Sequence, residues 1–97
     1  MNSQELQHEI DLRNGQIDKK RISLKKTDYI DNKITEALVL YGMEKAQEVT
    51  EQYRGQLSMR QVWRDDINTL QEEVTLLEAQ KAAAEEQESQ VNNSMEG

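Results

Sequence analysis

The side chains in this sequence that could do chemistry are carboxylates, lysines, arginines and a single histidine; cysteine is absent. Without a thiol, neither a disulfide framework nor a thiolate metal site or nucleophile can be built. Acidic pairs are frequent: Asp65 and Asp66, Glu72 and Glu73, Glu85 and Glu86. General acid and base catalysis needs two carboxylates held in a concave, partly dry site. Neighbouring residues on a helix point about 100° apart, so none of these pairs converges on one ligand. His8 stands beside Glu5 and Glu9 on a polar face and would hold a metal only loosely. The expectation is a non-enzyme with no catalytic residue, metal or cofactor. The one basic run, Lys19, Lys20, Arg21, Lys25 and Lys26, could contact phosphates. It has no interleaved aromatics, and Asp65, Asp66, Glu72 and Glu73 are available to neutralise it. A solvated, ion-paired face is the favoured reading, with a nucleic-acid surface as the alternative.

The elements that must position these residues are helices. Ninety-seven residues with 35% hydrophobic content, no Phe, one Trp and 32% charged residues make at most one domain, too poor in large side chains for a thick globular core. Proline is absent and glycine scarce, while Glu, Gln, Lys, Leu and Ala abound, which favours long helices over sheet. No apolar run approaches the ~20 residues of a membrane span, and MNSQELQHEI lacks the basic and apolar regions of a signal peptide, so a soluble protein with no membrane partner is expected. The net charge of −7 is uneven: residues 1–42 hold seven basic and seven acidic side chains, residues 43–97 five and twelve. Such an acidic surface disfavours nonspecific binding to nucleic acid or anionic membrane.

Residues 59–79 carry the strongest pattern. Trp63, Ile67, Leu70, Val74 and Leu77 alternate spacings of four and three, the seam of a helix wound against a partner. The same heptad extends from Glu44 onward, with Ala46, Tyr53, Arg60, Ile67, Val74 and Lys81 at one seam position and Val49, Gln56, Trp63, Leu70, Leu77 and Ala84 at the other. Gly55 is a soft spot. In the first arm, Asn2 and Glu5 read as an N-cap with its capping-box partner, and Leu6, Ile10, Ile17 and Leu24 fall on a heptad interrupted by Arg13 and Lys20. The phase changes at Thr27, a good N-cap residue followed by the favourable first-turn anion Asp28, so a bend is expected there. Gly42 sits where a helix stops, and Met43 could pack back on Leu38.

A reversal at Gly42 pairs residues whose numbers sum to about 85. Ile17 then faces Ile67 and Leu70, Ile10 faces Val74 and Leu77, Leu24 lies near Arg60, Lys20 meets Asp65 and Lys19 meets Asp66. The expected fold is all-α, an elongated antiparallel helical hairpin or coiled coil. Residues 1–42 form one arm, with a kink at Thr27, residues 43–88 the other, and residues 89–97 an acidic flexible tail. About ten apolar residues at ~1.5 to 3 kcal/mol each do not comfortably exceed the ordering cost of the chain, so a homo-oligomer or a complex is expected. Trp63, flanked by Arg60 and Arg64, is either an anchor between the arms, with an arginine stacked on it, or a hot spot presented to a partner. Tyr29, Tyr41 and Tyr53 could extend that surface.

Leu24, Thr27, Asp28 and Tyr29 (L-x-x-T-D-Y), with Arg60, Gln61, Trp63, Arg64, Asp65, Ile67 and Asn68 (RQ-x-WRD-x-IN) about thirty residues later, resemble a segment of small tailed-bacteriophage proteins. Those proteins are of the tail-assembly-chaperone and tail- or head-fibre-associated type. The likeness covers roughly residues 22–70, and its motifs are short. It implies a hairpin in which the Thr27 cap and Asp28 meet Arg60 or Arg64, with Tyr29 and Trp63 packed nearby. On that resemblance the interface residues are Thr27, Asp28, Tyr29, Arg60, Trp63 and Arg64, continued by Ile67, Leu70, Val74 and Leu77 of the seam. The implied function is a phage structural or assembly protein, found in the virion or in the host cytoplasm during assembly, whose partners are further copies of itself or a larger virion protein. A tail-assembly chaperone outside the virion is an alternative. The chain departs from the pattern in its long segment 31–59 and its acidic extension beyond Asn68.

Overall fold

The computed structural model describes the backbone of residues 1–96 and the side chains of residues 1–90. Among the described residues the fold is all-α, without a strand: α1 (Ser3–Lys26), α2 (Asp28–Tyr41), α3 (Met43–Gln52) and α4 (Arg54–Glu96). Single residues, Thr27, Gly42 and Tyr53, separate successive helices. None of the described helices is long and apolar enough to cross a membrane. The expected tail at 89–97 lies largely outside the described side chains, although α4 remains helical through Glu96. The chain divides into two compact units, Met1–Asp18 with Asn68–Gly97, and Lys19–Ile67.

In the first unit, α1 and α4 run antiparallel. Leu6, Ile10, Ile17, Val74 and Leu77 are buried, as the heptad spacing requires, and Leu70 is half-buried. Two seam positions are cationic. Arg13 Nε reaches Glu73 at 3.1 Å while its Nη1 holds Glu9 at 2.7 Å, and Lys81 Nζ donates to Gln7 Oε1 at 2.6 Å. Both side chains are only partly exposed, and long aliphatic stems of this kind cover apolar surface while their charged heads reach such partners. At the start of α1, Asn2 Oδ1 accepts the Glu5 N–H at 2.8 Å, the expected cap. The Ser3 hydroxyl and N–H donate to the Glu88 carboxylate at 2.8 and 3.2 Å. These bonds, the hydroxyl's first, hold Glu88 below the usual glutamate range.

In the second unit, α2 and α3 form a tight αα-hairpin around Gly42. Its N–H donates to the carbonyls of Ala37 and Leu38, closing α2, and its carbonyl accepts from Ala46, opening α3. With φ +92 and ψ −175, Gly42 occupies backbone space open essentially to glycine alone. The core here is thin: Ile30 is wholly buried, with Ala37 and Ala46 the small residues that let the helices approach. Met43 and Leu38, expected to pack together, are both exposed, and Met43 is already the first residue of α3.

Thr27 also departs from expectation. It makes no side-chain cap, and its backbone stays right-handed at φ −87 and ψ −5. The Thr27 N–H bonds to Leu24 and its carbonyl accepts from Ile30, both at 3.0 Å and both three residues apart, so the helix is locally overwound. The sequence supplies the reason. Leu24, Thr27 and Ile30 are the inward residues, at spacings of three and three where a heptad needs three and four, and such a step tightens a helix in a supercoil.

The second arm, expected as one helix, is interrupted at Tyr53. Thr50 Oγ1 donates back to the Ala46 carbonyl at 2.8 Å, a bond that bends helices, and Gly55 weakens propagation just beyond. The interruption also exchanges a seam residue, since Leu57 turns inward and Gln56 is exposed. The ionic register differs by one residue from expectation: Lys20 meets Asp66 at 3.1 Å, while Asp65 accepts from Gln61 on its own helix.

Two outcomes are expected. A Cβ at Gly15 would meet nothing within 4 Å, so Gly15→Ala should stabilise the chain by about 0.5–1 kcal/mol in urea unfolding, whereas Gly42→Ala should destabilise it by about 1–3 kcal/mol. Equal effects would refute the assigned turn. In an NMR titration Glu88 should protonate below an ordinary glutamate, and Ser3→Ala should return it toward the normal range. A depressed carboxylate contributes stability above its unfolded pKa and loses it as pH falls through the folded one, so amide protection at Ser3 should fade over that acidic interval.

Candidate functional site

The side chains of the second unit converge on Thr27, the one buried polar residue among those described. A buried hydroxyl and an overwound helical carbonyl both need partners. Thr27 Oγ1 donates to the Leu24 carbonyl at 2.6 Å and accepts from Arg60 Nε at 2.8 Å. Arg60 Nη2 donates to the Thr27 carbonyl at 2.6 Å. The remaining edge of the guanidinium grips Asp31 with both nitrogens, Nη1 to Oδ1 at 3.0 Å and Nη2 to Oδ2 at 3.1 Å. One planar fork therefore holds a backbone carbonyl, a hydroxyl and a carboxylate of the opposite arm. Lysine, with a point charge and no fork, could not match it.

An aromatic pair lies on the same side. The Tyr29 and Tyr53 rings meet edge to face at 5.8 Å and 89°, with the Lys33 ammonium 5.8 and 5.7 Å from their centres. The Tyr29 hydroxyl donates to Gln56 Oε1 at 3.4 Å. A groove of about 540 Å³ is lined by Ser23, Lys26, Thr27, Tyr29, Gln56 and Trp63. Trp63 is half-buried there. It carries no stacked arginine among the described residues; the cation over the aromatics is Lys33, on the tyrosines instead.

Of the residues singled out from sequence, the structure brings Thr27, Tyr29, Arg60 and Trp63 together. Asp28 and Arg64 are exposed and take no part in an ion pair among the described residues. The acidic partner is Asp31, one helical turn beyond Thr27, so the expected Asp28 contact is replaced. Asp28, next in sequence to Thr27, points about 100° away from it on a helix and so away from Arg60. The sequence signal for Asp31 is its place four residues after Thr27, on the same helical face. Lys33 left no such trace. Ile67, Val74 and Leu77 are buried and Leu70 is half-buried, each within its own unit. Of the basic run, Lys20 is tied to Asp66, whereas Lys19, Arg21, Lys25 and Lys26 are exposed without an ion pair among the described residues. No group of three or more metal-ligating side chains occurs among the described residues.

These contacts position helices. Replacing Arg60 by Lys should lower stability by about 1–2 kcal/mol, while Asp31→Asn, at an exposed carboxylate, should cost less than about 1 kcal/mol. Trp63, the sole tryptophan, reports both by fluorescence in a urea titration. Equal losses would mean that charge alone, not the forked geometry, secures Thr27. No family model matches the chain, nor does any curated protein or solved structure.

Proposed function

We propose that this chain is a bacteriophage structural or assembly protein: a helical interaction module that self-associates or docks on a larger head, tail or fibre protein. The observation that carries the reading is the meeting of Thr27 and Arg60, the two halves of the resemblance, in one four-bond arrangement beside Trp63 and Tyr29. A motif that fixes helix register is what a scaffold or docking element requires. The half-buried Trp63 and exposed Tyr29 beside it are of the residue types that dominate protein interfaces. The module acts in the virion, or in the host cytoplasm while particles assemble.

A second reading has one observation in its favour. Lys19, Arg21, Lys25 and Lys26 stand exposed, and a phosphate backbone could use them. Against it stand the net charge of −7 and the lack of aromatics within the run.

Mass spectrometry of purified particles and of assembly intermediates separates the forms of the proposal. A virion component is found in particles in a fixed ratio to the head or tail proteins. An assembly chaperone is found on unassembled tail protein and is missing from particles. Recovery in neither fraction would overturn the phage reading. The nucleic-acid alternative requires DNA or RNA binding at ~50 mM salt that weakens steeply with added salt and is lost on replacing Lys19, Lys25 and Lys26 by Ala; no binding under those conditions ends it.

A further inference from the structure

The charge of the chain is divided between its two units. Lys19–Ile67 holds ten basic and eight acidic side chains, and Met1–Asp18 with Asn68–Gly97 holds two and eleven, so the total of −7 separates into +2 and −9. Each unit also leaves an apolar feature uncovered beside charge of its own sign. In the basic unit it is the groove of about 540 Å³, walled by Trp63 and Tyr29 and rimmed by the exposed Lys26. Lys26 has no ion pair among the described residues, and Lys19, equally unpaired, shares its face of α1 at a spacing of seven. In the acidic unit the feature is the outward face of α4. Glu72, Leu76, Ala79, Ala83 and Glu86 are all exposed and follow one another at spacings of four, three, four and three. They make a second, short stripe distinct from the buried one of Val74 and Leu77, and Leu76 at its centre is 65% exposed.

We propose that the outward stripe of α4 in one copy docks in the groove of a second copy, with Leu76 against Trp63 and Tyr29 and with Glu72 on Lys26. The proposal rests on the reading of the chain as an interaction module and names its partner. Helices occupy grooves through anchors at such spacings, and the small Ala79 and Ala83 let this one lie close. Glu72 is one turn from Leu76, about 6 Å along the axis, so a leucine seated in the groove carries a carboxylate to its rim. Lys26 stands at that rim without a partner of its own. Charge selects the pairing. Two acidic units repel and two basic units gain nothing, whereas unlike units attract and are steered together. The contact joins two different surfaces, so it is heterologous and repeats from copy to copy. It is also small, and a weak, reversible association follows.

Sedimentation of the whole chain between about 10 μM and 1 mM, in ~50 mM and ~500 mM NaCl, tests this. In low salt the native chain should form species that grow with concentration, and added salt should dissociate them. Lys26→Glu and Glu72→Lys should each weaken the association about 10-fold or more. Asp11→Lys, the same charge change on α1 of the acidic unit, should weaken it less than about 3-fold, as a charge outside the contact is screened. All three positions are exposed, so circular dichroism should show helicity kept. Lys26→Glu retains a sound stripe and Glu72→Lys a sound groove. An equimolar mixture of the two should therefore stop at dimers, and a chain carrying both changes should assemble as the native one does. A native chain monomeric throughout in low salt, an equal loss from Asp11→Lys, or a mixture that stays monomeric would each overturn the proposal. So would a monomer that binds phosphatidylserine vesicles through Lys26, which would assign the groove to a lipid surface. Absence of the chain from both particles and assembly intermediates would overturn the phage reading and leave this association standing; a persistent monomer would do the reverse.

Discussion

One guanidinium on one threonine governs the second unit. The inward residues of the first arm lose a step of the heptad at Thr27, and the helix is drawn tight there, with a polar side chain in the buried seam. An unpartnered hydroxyl in such a place costs about 1–3 kcal/mol. Arg60 removes that cost by bonding both the hydroxyl and the carbonyl, then fixes its own charge on Asp31. The irregularity and its remedy lie on opposite arms and are 33 positions apart in sequence. Helix winding is thereby coupled to long-range pairing.

Cations recur at the seam for a related reason. Arg13 and Lys81 in one unit, Lys20 and Arg60 in the other, occupy positions where a coiled coil would ordinarily place Leu or Ile, and each reaches a partner on the facing helix. Such residues weaken a seam and make its register selective. A slip of one heptad within the second unit would set Arg60 against either Ile34 or Lys20, an apolar side chain or a like charge. The native register is favoured partly by how poor its neighbours are. An apolar seam of this sparseness would otherwise slide with little penalty.

Much of this could be read from sequence, because the information is periodic. The spacing of Leu6, Ile10 and Ile17 and of Ile67, Val74 and Leu77 placed the buried stripe, and Gly42 placed the reversal. Once the reversal is known, cross-chain pairing follows to within a residue, as Lys20 shows by meeting Asp66 and not Asp65. What escaped was whatever depends on a local change of winding. Tyr53 interrupts a heptad that is unbroken on paper, between a Thr50 hydroxyl that bonds its own helix and the helix-weakening Gly55. Thr27 resembles a cap in isolation and becomes a buried acceptor only when Arg60 arrives. Asp31 displaced Asp28 because it lies one turn after Thr27, on the face that Arg60 meets. The exposure of Leu38 to Tyr41 escaped too: an apolar run looks the same in sequence whether the fold covers it or not.

The turn at Gly42 has a consequence of handedness. Every other described residue keeps the chirality of a right-handed chain, with no positive φ outside this glycine. Reflecting φ +92 and ψ −175 gives ordinary extended backbone, so the reversal is shaped for a residue of the opposite hand. Glycine serves because, lacking a side chain, it has no hand of its own. The two helices therefore meet at a point where the chain briefly adopts mirror-image geometry, and a D-alanine would suit that point better than any L-residue.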